Sequence, residues 1–334
     1  MRILHIMGNG FDLNLGLKTR YEDFYAYYKK VNSLGNQEIE NLKASIGSDL
    51  INWSDLELAL GMYTSSLGTR ESVETLVFDI LDNLREYLKL EQEKISYKNL
   101  NRDLFLKDLI SPELHLTRRD QNGIASWAEK WRNSSQIIIN IMTLNYTSII
   151  EGIIGEEASS LNIGSKAGKK AVLSKIEHIH GLLNERPILG VNDIEQIANK
   201  KFHSSQDTVE LLVKPIHNQE LGHMIDDDCL THIKQANLIC IFGCSIGETD
   251  KKWWAAVGKR IGADCRLIIM QRTADFIPGR EILAPREVRE VKNRFLAMTD
   301  LNEESAESAK NYISVGVNTD MFKLTVSSPV DMLS

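Results

Sequence analysis

Residues that could take part in binding or catalysis follow the predicted strands at four points of the chain. The first group is Gly8-Asn9-Gly10-Phe11-Asp12, which comes directly after the apolar run 3–7. Glycines in such a turn let the backbone approach a phosphate and offer N–H donors to it. The third glycine of the dehydrogenase fingerprint and the lysine of a P-loop are both missing, so an ordinary tight turn is an equal alternative.

Two further strand ends carry an amide and a pair of histidines. The amide of Asn145 could orient a ribose or a water molecule, or it could cap the following helix. His178 and His180 share one face of their strand because side chains alternate. A histidine before a glycine at a strand end suits a general base, and a structural hydrogen bond is the alternative. No third ligand at metal spacing joins the pair, so we predict no metal site and leave open which histidine faces the cleft.

The fourth strand end is Phe242-Gly243-Cys244-Ser245-Ile246-Gly247, followed by a helix from about Asp250. A glycine-serine turn before a helix N-terminus favours an anion, because the first N–H groups of the helix are free. Capping of that helix by Thr249 or Asp250 is the alternative. The spacing does not fit the nucleophile elbow, so Ser245 is not predicted to be a nucleophile.

Alternating strands and helices must position these groups, and they predict a mostly parallel, Rossmann-like α/β sheet. The predicted strands are 3–7, 136–144, 175–179, 188–191, 236–242 and 266–270, with edge strands in 311–326. The predicted helices are 146–154, 248–262 and 284–298, with a solvated turn or loop at 300–307 and a mobile basic loop at 164–170. Since ligands bind beyond the carboxyl ends of strands in such sheets, the four groups should converge.

Length and composition set the broad class of the protein. The chain has 334 residues and a net charge of −7, which allows one α/β domain made of 1–19 and 136–334 with a helical insert or lid at 20–135. Its four cysteines form no CxxC pair, which disfavours a disulfide framework or zinc ribbon and favours the cytoplasm. We expect no signal sequence, no membrane span and no general affinity for nucleic acid.

Taken together, these groups resemble the bacteriophage abortive-infection AbiH family. Members begin with a strand, then GNGFDL and GLxTxY, which Gly8 to Tyr21 matches here. Further landmarks are Trp53-Ser-Asp-Leu-Glu57, Leu144-Asn145-Tyr146-Thr147, His178-Ile-His180-Gly181 and Phe242 to Gly247 with Asp250. Members often have histidine where Cys244 stands, so this position departs from the pattern.

A more distant resemblance is to SIR2-like, sirtuin-type NAD-binding proteins. The Gly8 turn is similar to their GAGxSxxxGIP segment, although Asp12 replaces the serine and Lys18 the proline. Asn145-Tyr146 resembles TNYD of bacterial SIR2-like NAD hydrolases, and His180-Gly181 resembles their LHG. The resemblance implies that Asn145 and His180 are catalytic, and that NAD is bound by Gly8, Asn9, Gly10, Phe11, Asp12, Thr19, Gly243, Ser245 and Asp250. The missing zinc ribbon disfavours protein deacylation.

Three functions follow as hypotheses. The first is an NAD hydrolase that cleaves the nicotinamide–ribose bond in antiphage defence. The second is a sensor that binds NAD or ADP-ribose without turnover. The third is a nuclease. It ranks lowest because the chain has no clear PD-(D/E)xK pattern and no basic stripe. The expected partners are a small nucleotide, a phage-derived trigger and further copies of the chain.

Overall fold

A seven-stranded sheet forms the centre of the computed structural model, which describes residues 1–155, 160–273 and 284–325. The strands are β1 (Arg2–Met7), β2 (Gln136–Thr143), β3 (Leu161–Lys166), β4 (Lys169–His178), β5 (Leu238–Phe242), β6 (Arg266–Gln271) and β7 (Ile313–Val317). Their order is β3-β4-β2-β1-β5-β6-β7, and all neighbours are parallel except β3 and β4. The predicted α/β, mostly parallel, Rossmann-like fold is confirmed.

The strand order reverses next to the central strand β1. Strands β2 and β4 follow on one side of β1, and β5, β6 and β7 follow on the other. The register aligns the carboxyl ends in one row, in which neighbours pair as His178, Thr143, Met7, Phe242 and Met270. Such a switch point opens a crevice between the diverging crossovers, and ligands of open α/β sheets bind there.

Fourteen helices surround the sheet within the described residues. Those before β2 are α1 (Gly10–Asn14), α2 (Tyr21–Tyr28), α3 (Gln37–Ser48), α4 (Leu56–Tyr63), α5 (Arg70–Gln92), α6 (Arg102–Ile110) and α7 (Arg118–Ala128). Those after β2 are α8 (Ile149–Ile154), α9 (Gln206–Leu212), α10 (Lys214–Glu220), α11 (Ile225–Gln235), α12 (Lys251–Arg260), α13 (Ala284–Ala297) and α14 (Glu303–Ala309). None of these described helices combines the length and apolarity needed to cross a membrane.

The predicted helical region 20–135 is largely helical, and its helices contribute to two different cores. Helices α2 to α5 share a hydrophobic cluster with the segment 183–213. Helices α6 and α7 pack with the strands β1, β2 and β5 instead. The amphipathic stripe of α5 explains the first cluster, since Val73, Leu76, Ile80 and Leu84 are all buried on one face. The division of the chain into two domains stays a prediction.

The predicted basic loop at 164–170 is wrong, because these residues lie at the tip of a β-hairpin. Strands β3 and β4 pair antiparallel around Ala167 and Gly168. Both of these residues have positive φ, +49° and +75°, as the favoured two-residue hairpin turn requires. The hairpin adds the antiparallel edge strand β3 to an otherwise parallel sheet.

Two further predictions of local structure are wrong. The run 188–191 forms no strand and makes only an isolated bridge between Val191 and Val213. Its apolar residues are buried among the helices, and a short apolar run does not distinguish these two cases. The acidic segment 300–307 contains the start of α14, because the Asn302 side chain caps Ser305 N–H and Glu303 lies in the first turn.

The predicted edge strand within 311–326 is shorter than expected. Strand β7 covers Ile313–Val317 and lies at the edge of the sheet. The end of the predicted segment, Val326, lies outside the described residues.

Candidate functional site

A cavity of about 890 Å³ opens at the carboxyl ends of β1, β2 and β5. Ten of the eleven site residues predicted from the sequence line it: Gly8, Asn9, Gly10, Asp12, Thr19, Asn145, His180, Gly243, Ser245 and Asp250. The volume falls in the range of small-molecule and cofactor sites. The parallel register therefore brings together groups that are more than a hundred residues apart in the chain.

The two glycine turns meet backbone to backbone at the floor of the cavity. Gly8 N–H donates to the Phe242 carbonyl at 2.9 Å, and Gly10 N–H donates to the Gly243 carbonyl at 2.8 Å. A Cβ on Gly10 would lie 2.4 Å from the Gly243 Cα. The glycines are thus needed for this close contact, and the N–H groups of Gly8 and Gly10 are used within the protein rather than free for a phosphate.

Phe11 does not line the cavity, in contrast to the prediction that it binds the ligand. Its ring is fully buried and packs in an aromatic cluster with Phe105, Phe242 and Phe322. The helical turn of α1 explains this, because consecutive residues of a helix point about 100° apart. Asp12 consequently faces the cavity while Phe11 supports the turn from the core.

Asn9 and Thr19 close the loop that follows the first glycine turn. Asn9 Nδ2 donates to the Thr19 carbonyl at 2.8 Å, and Thr19 Oγ1 donates to Asn9 Oδ1. On the opposite turn, the exposed Ser245 precedes Ile246, which has a φ of +51°. A positive φ is strained for a β-branched residue, so the burial of the Ile246 side chain in the hydrophobic core must offset this strain.

The Asn145 carboxamide is oriented by a buried carboxylate. Its Nδ2 donates to Asp12 Oδ1 at 3.0 Å, and Thr147 Oγ1 donates to Asp12 Oδ2 at 2.8 Å. Asn145 Oδ1 is buried and has no hydrogen-bond partner among the described residues. Helix α8 begins after Ser148, so Asn145 is not its cap. The arrangement leaves an amide oxygen in the cavity wall as an unused acceptor.

Burial raises the pKa of Asp12 to about 7, although hydrogen bonds from Thr147 and Asn145 oppose the shift. The folded state therefore holds a proton that the unfolded chain releases near pH 4, so stability falls as the pH rises through 7.

We expect that Asp12→Asn removes this pH dependence. The free energy of unfolding of the wild type should fall by about 2 to 3 kcal/mol relative to Asp12→Asn between pH 5 and pH 8. Urea unfolding of both proteins at several pH values measures the difference. A difference that does not change with pH would contradict the raised pKa.

The two histidines of β4 and its extension have different environments. His178 does not line the cavity; its Nδ1 lies 3.0 Å from the Asn145 carbonyl and its Nε2 lies 2.7 Å from Glu151 Oε1. His178 thereby supports the main chain at Asn145. His180 lines the cavity and is 5% exposed. The question that the sequence left open is thus answered in favour of His180.

A buried charge network lies against His180. Its Nε2 is 3.1 Å from Lys214 Nζ and 3.6 Å from Asp250 Oδ1. Lys214 Nζ also donates to Glu57 Oε2 at 2.8 Å. Tyr146 OH lies 3.2 Å from Glu57 Oε1 and 2.8 Å from the Ile188 carbonyl, and its one proton can serve either acceptor. Burial opposes ionisation of Asp250, but the His180 ring and the Lys214 ammonium together lower its pKa below the ordinary value.

The helical region forms one wall of the cavity. Asp55 caps α4 by accepting from Leu58 N–H, and its second oxygen accepts from Thr249 Oγ1. Asp250 occupies the N-cap position of α12, as the alternative weighed for it expects, but its side chain makes no capping hydrogen bond. The rings of Trp53 and Tyr25 also line the cavity. A hydrogen bond therefore joins the start of α4 directly to the loop after β5.

Lys214 was missed by the sequence interpretation. Its local signal is a single lysine between Val213 and Pro215, directly after the apolar end of α9. A lysine at such a boundary is ordinarily solvated, and here it is 3% exposed. Its contacts with Glu57, which is 157 residues away in the chain, and with His180 distinguish it.

The lining of the cavity contains polar side chains of several chemical types. Among residues 1–155, 160–273 and 284–325, no group of three or more histidine, cysteine, aspartate or glutamate side chains is arranged to hold a metal. The cavity combines amide, hydroxyl and imidazole groups and aromatic rings with the carboxyl groups of Asp12, Asp55, Glu57 and Asp250.

Comparison with known proteins identifies one family. The family model for bacteriophage abortive infection AbiH matches residues 4–271, which is well over half of the chain. The match includes every residue of the cavity wall discussed above. None of the curated proteins compared matches the chain.

Proposed function

The chain belongs to the bacteriophage abortive-infection AbiH family, and on this premise we propose that it hydrolyses the nicotinamide–ribose bond of NAD. Family membership assigns it to abortive-infection antiphage defence. Loss of a shared nucleotide would account for such a role, because an infected cell without NAD cannot support phage growth. The specific reaction is our inference from the cavity.

One observation carries the proposal. The carboxamide of Asn145 and the imidazole of His180 line the same cavity, and Asn145 Oδ1 is buried there without a protein partner. A buried acceptor without a partner costs about 1–3 kcal/mol, and a ligand that donates to it would offset this cost. A ribose hydroxyl or a water molecule has the required donor.

The residues would divide the chemistry between them. Hydrolysis breaks the bond between ribose and nicotinamide, joins the water oxygen to the ribose carbon, and releases a proton. Asn145, held by Asp12, would orient the ribose or the water. His180 would accept the proton, which requires one ring nitrogen with a free lone pair. Ser245 would contribute a hydroxyl donor from the opposite turn.

A second candidate is a sensor that binds NAD or ADP-ribose without turnover. It is favoured by the contact of His180 Nε2 with the Lys214 ammonium, because a nitrogen that accepts from Lys214 is not free to take a proton. Binding to the cavity would still be compatible with this contact. The two candidates therefore differ only in whether products form.

Incubation of the purified chain with NAD tests the proposal. The reaction is followed by chromatographic separation of nicotinamide and ADP-ribose, with and without lysate from phage-infected cells as a source of a trigger. We expect the two products in equal amounts. Tight binding of NAD in calorimetry without products in either condition would support the sensor, and absence of both binding and products would contradict both candidates.

A further inference from the structure

His180 Nε2 lies between a cation and an anion. Lys214 Nζ is 3.1 Å away and Asp250 Oδ1 is 3.6 Å away. An ammonium group has only donors, so its contact requires a lone pair on Nε2 and places the ring proton on Nδ1. A carboxylate has only acceptors, so it favours a proton on Nε2. The two neighbours therefore favour opposite tautomers of the same ring.

Nδ1 is the nitrogen that remains for a ligand. His180 lines the cavity, and its Nδ1 makes no hydrogen bond to any of the described residues. In the tautomer favoured by Lys214, Nδ1 carries the proton and can only donate. In the tautomer favoured by Asp250, Nδ1 has the lone pair that a base requires.

One carboxylate oxygen of Asp250 lacks a hydrogen-bond donor among the described residues. Its Oδ1 is buried and forms no hydrogen bond within the described part of the chain. The 3.6 Å separation from His180 Nε2 is too long for a hydrogen bond, but a small rotation of either side chain would close it. An N–H on Nε2 would satisfy this oxygen and would leave Nδ1 unprotonated.

Lys214 is held in place by a partner from the helical region. Its ammonium donates to Glu57 Oε2 at 2.8 Å, and both side chains are almost fully buried. A buried pair of this kind costs desolvation and is weak support for a purely stabilising role. Because the ammonium has three donors, it can keep Glu57 while leaving His180.

We propose that Lys214 and Asp250 are opposing positioning residues for His180. Lys214 holds the ring in the Nδ1–H tautomer, which cannot take a proton from the cavity side, and Asp250 stabilises the Nε2–H tautomer, which can. The restraint by Lys214 keeps the site at rest until the ammonium moves away. The tautomer is a property of the free protein, and only the consequence for NAD turnover rests on the proposed function.

Nitrogen-15 NMR of histidine-labelled protein reads the tautomer directly. The chain has 8 histidines, and His180→Gln identifies the His180 signals by subtraction. We expect Nδ1–H in the wild type and in Lys214→Arg, which keeps the charge. We expect Nε2–H in the double variant Glu57→Gln with Lys214→Met, which removes both members of the ion pair. Asp250→Asn should retain the wild-type tautomer.

The same variants give a kinetic readout. In the double variant the kcat for NAD should rise by about tenfold with little change in KM. The reason is that kcat scales with the fraction of protein in the Nε2–H tautomer, which is the minor tautomer in the wild type. Asp250→Asn should lower kcat. A merely structural role for Lys214 would lower both stability and kcat and leave the tautomer unchanged.

The outcomes separate the inference from the proposed function. An Nδ1–H ring in the folded double variant would overturn the inference, whatever happens to NAD. A switch to Nε2–H without NAD cleavage by any variant would support the inference and overturn the proposed hydrolase. Should the double variant unfold, Glu57→Leu with Lys214→Met replaces the buried ion pair by apolar side chains and leaves no donor from either position. An Nδ1–H ring in that variant would likewise overturn the inference.

Discussion

Replacement of Asn145 or His180 by alanine is expected to reduce the rate of NAD hydrolysis by about a hundredfold or more while the fold is retained. Asn145→Ala removes the carboxamide that Asp12 orients and whose Oδ1 has no hydrogen-bond partner among the described residues. His180→Ala removes the ring that would take the proton. Nicotinamide release per unit time, measured at saturating NAD, gives the result.

Two matched variants control for general effects of the substitutions. His217→Ala removes a histidine whose Nδ1 bonds the Glu210 carbonyl away from the cavity. Asn83→Ala removes an amide that bonds Asp79 on α5. Both should keep wild-type turnover. Circular dichroism and thermal unfolding check that each protein is folded, and undiminished NAD consumption in both Asn145→Ala and His180→Ala would refute the assignment of roles.

The position of Asn145 shows what sequence could and could not predict. The strand ends at Gly8, Asn145 and Gly243 were predicted to converge, and the parallel register of β1, β2 and β5 brings them to one cavity. The role of the Asn145 side chain could not be predicted, because a helix cap and a site amide have the same local sequence. The decisive contact is with Asp12, 133 residues away.

The network behind His180 was beyond the reach of local patterns. Lys214 and Glu57 meet because the segment 183–213 folds onto helices α2 to α5, and no periodicity in either stretch indicates that contact. The error at 188–191 has the same origin. An apolar run is buried in either case, and only the long-range packing decides between a strand and an irregular segment.

The helical region does more than cover the cavity. Asp55 bonds Thr249 in the loop after β5, and Glu57 bonds both Lys214 and Tyr146. One turn at the start of α4 thus contacts the loops after two different strands and the first residue of α10. A change that moves α4 would therefore alter the surroundings of His180.

Gly243→Ala is expected to be strongly destabilising. Gly243 has a φ of +68°, and its added Cβ would lie 2.7 Å from the Gly10 Cα. The obstacle is backbone of the partner turn, so no side-chain rotation can relieve it. We expect the free energy of unfolding to fall by about 4 kcal/mol or more, with loss of NAD binding.

Gly16→Ala is the control that separates the two causes of this loss. Gly16 has a φ of +88°, but nothing lies within 4 Å of the Cβ position. Its substitution therefore adds backbone strain without a clash and should cost about 1–2 kcal/mol. Urea unfolding followed by circular dichroism compares the two variants. A similar cost for both would mean that the glycine turns do not need their close contact, and that the floor of the cavity tolerates separation of β1 from the loop after β5.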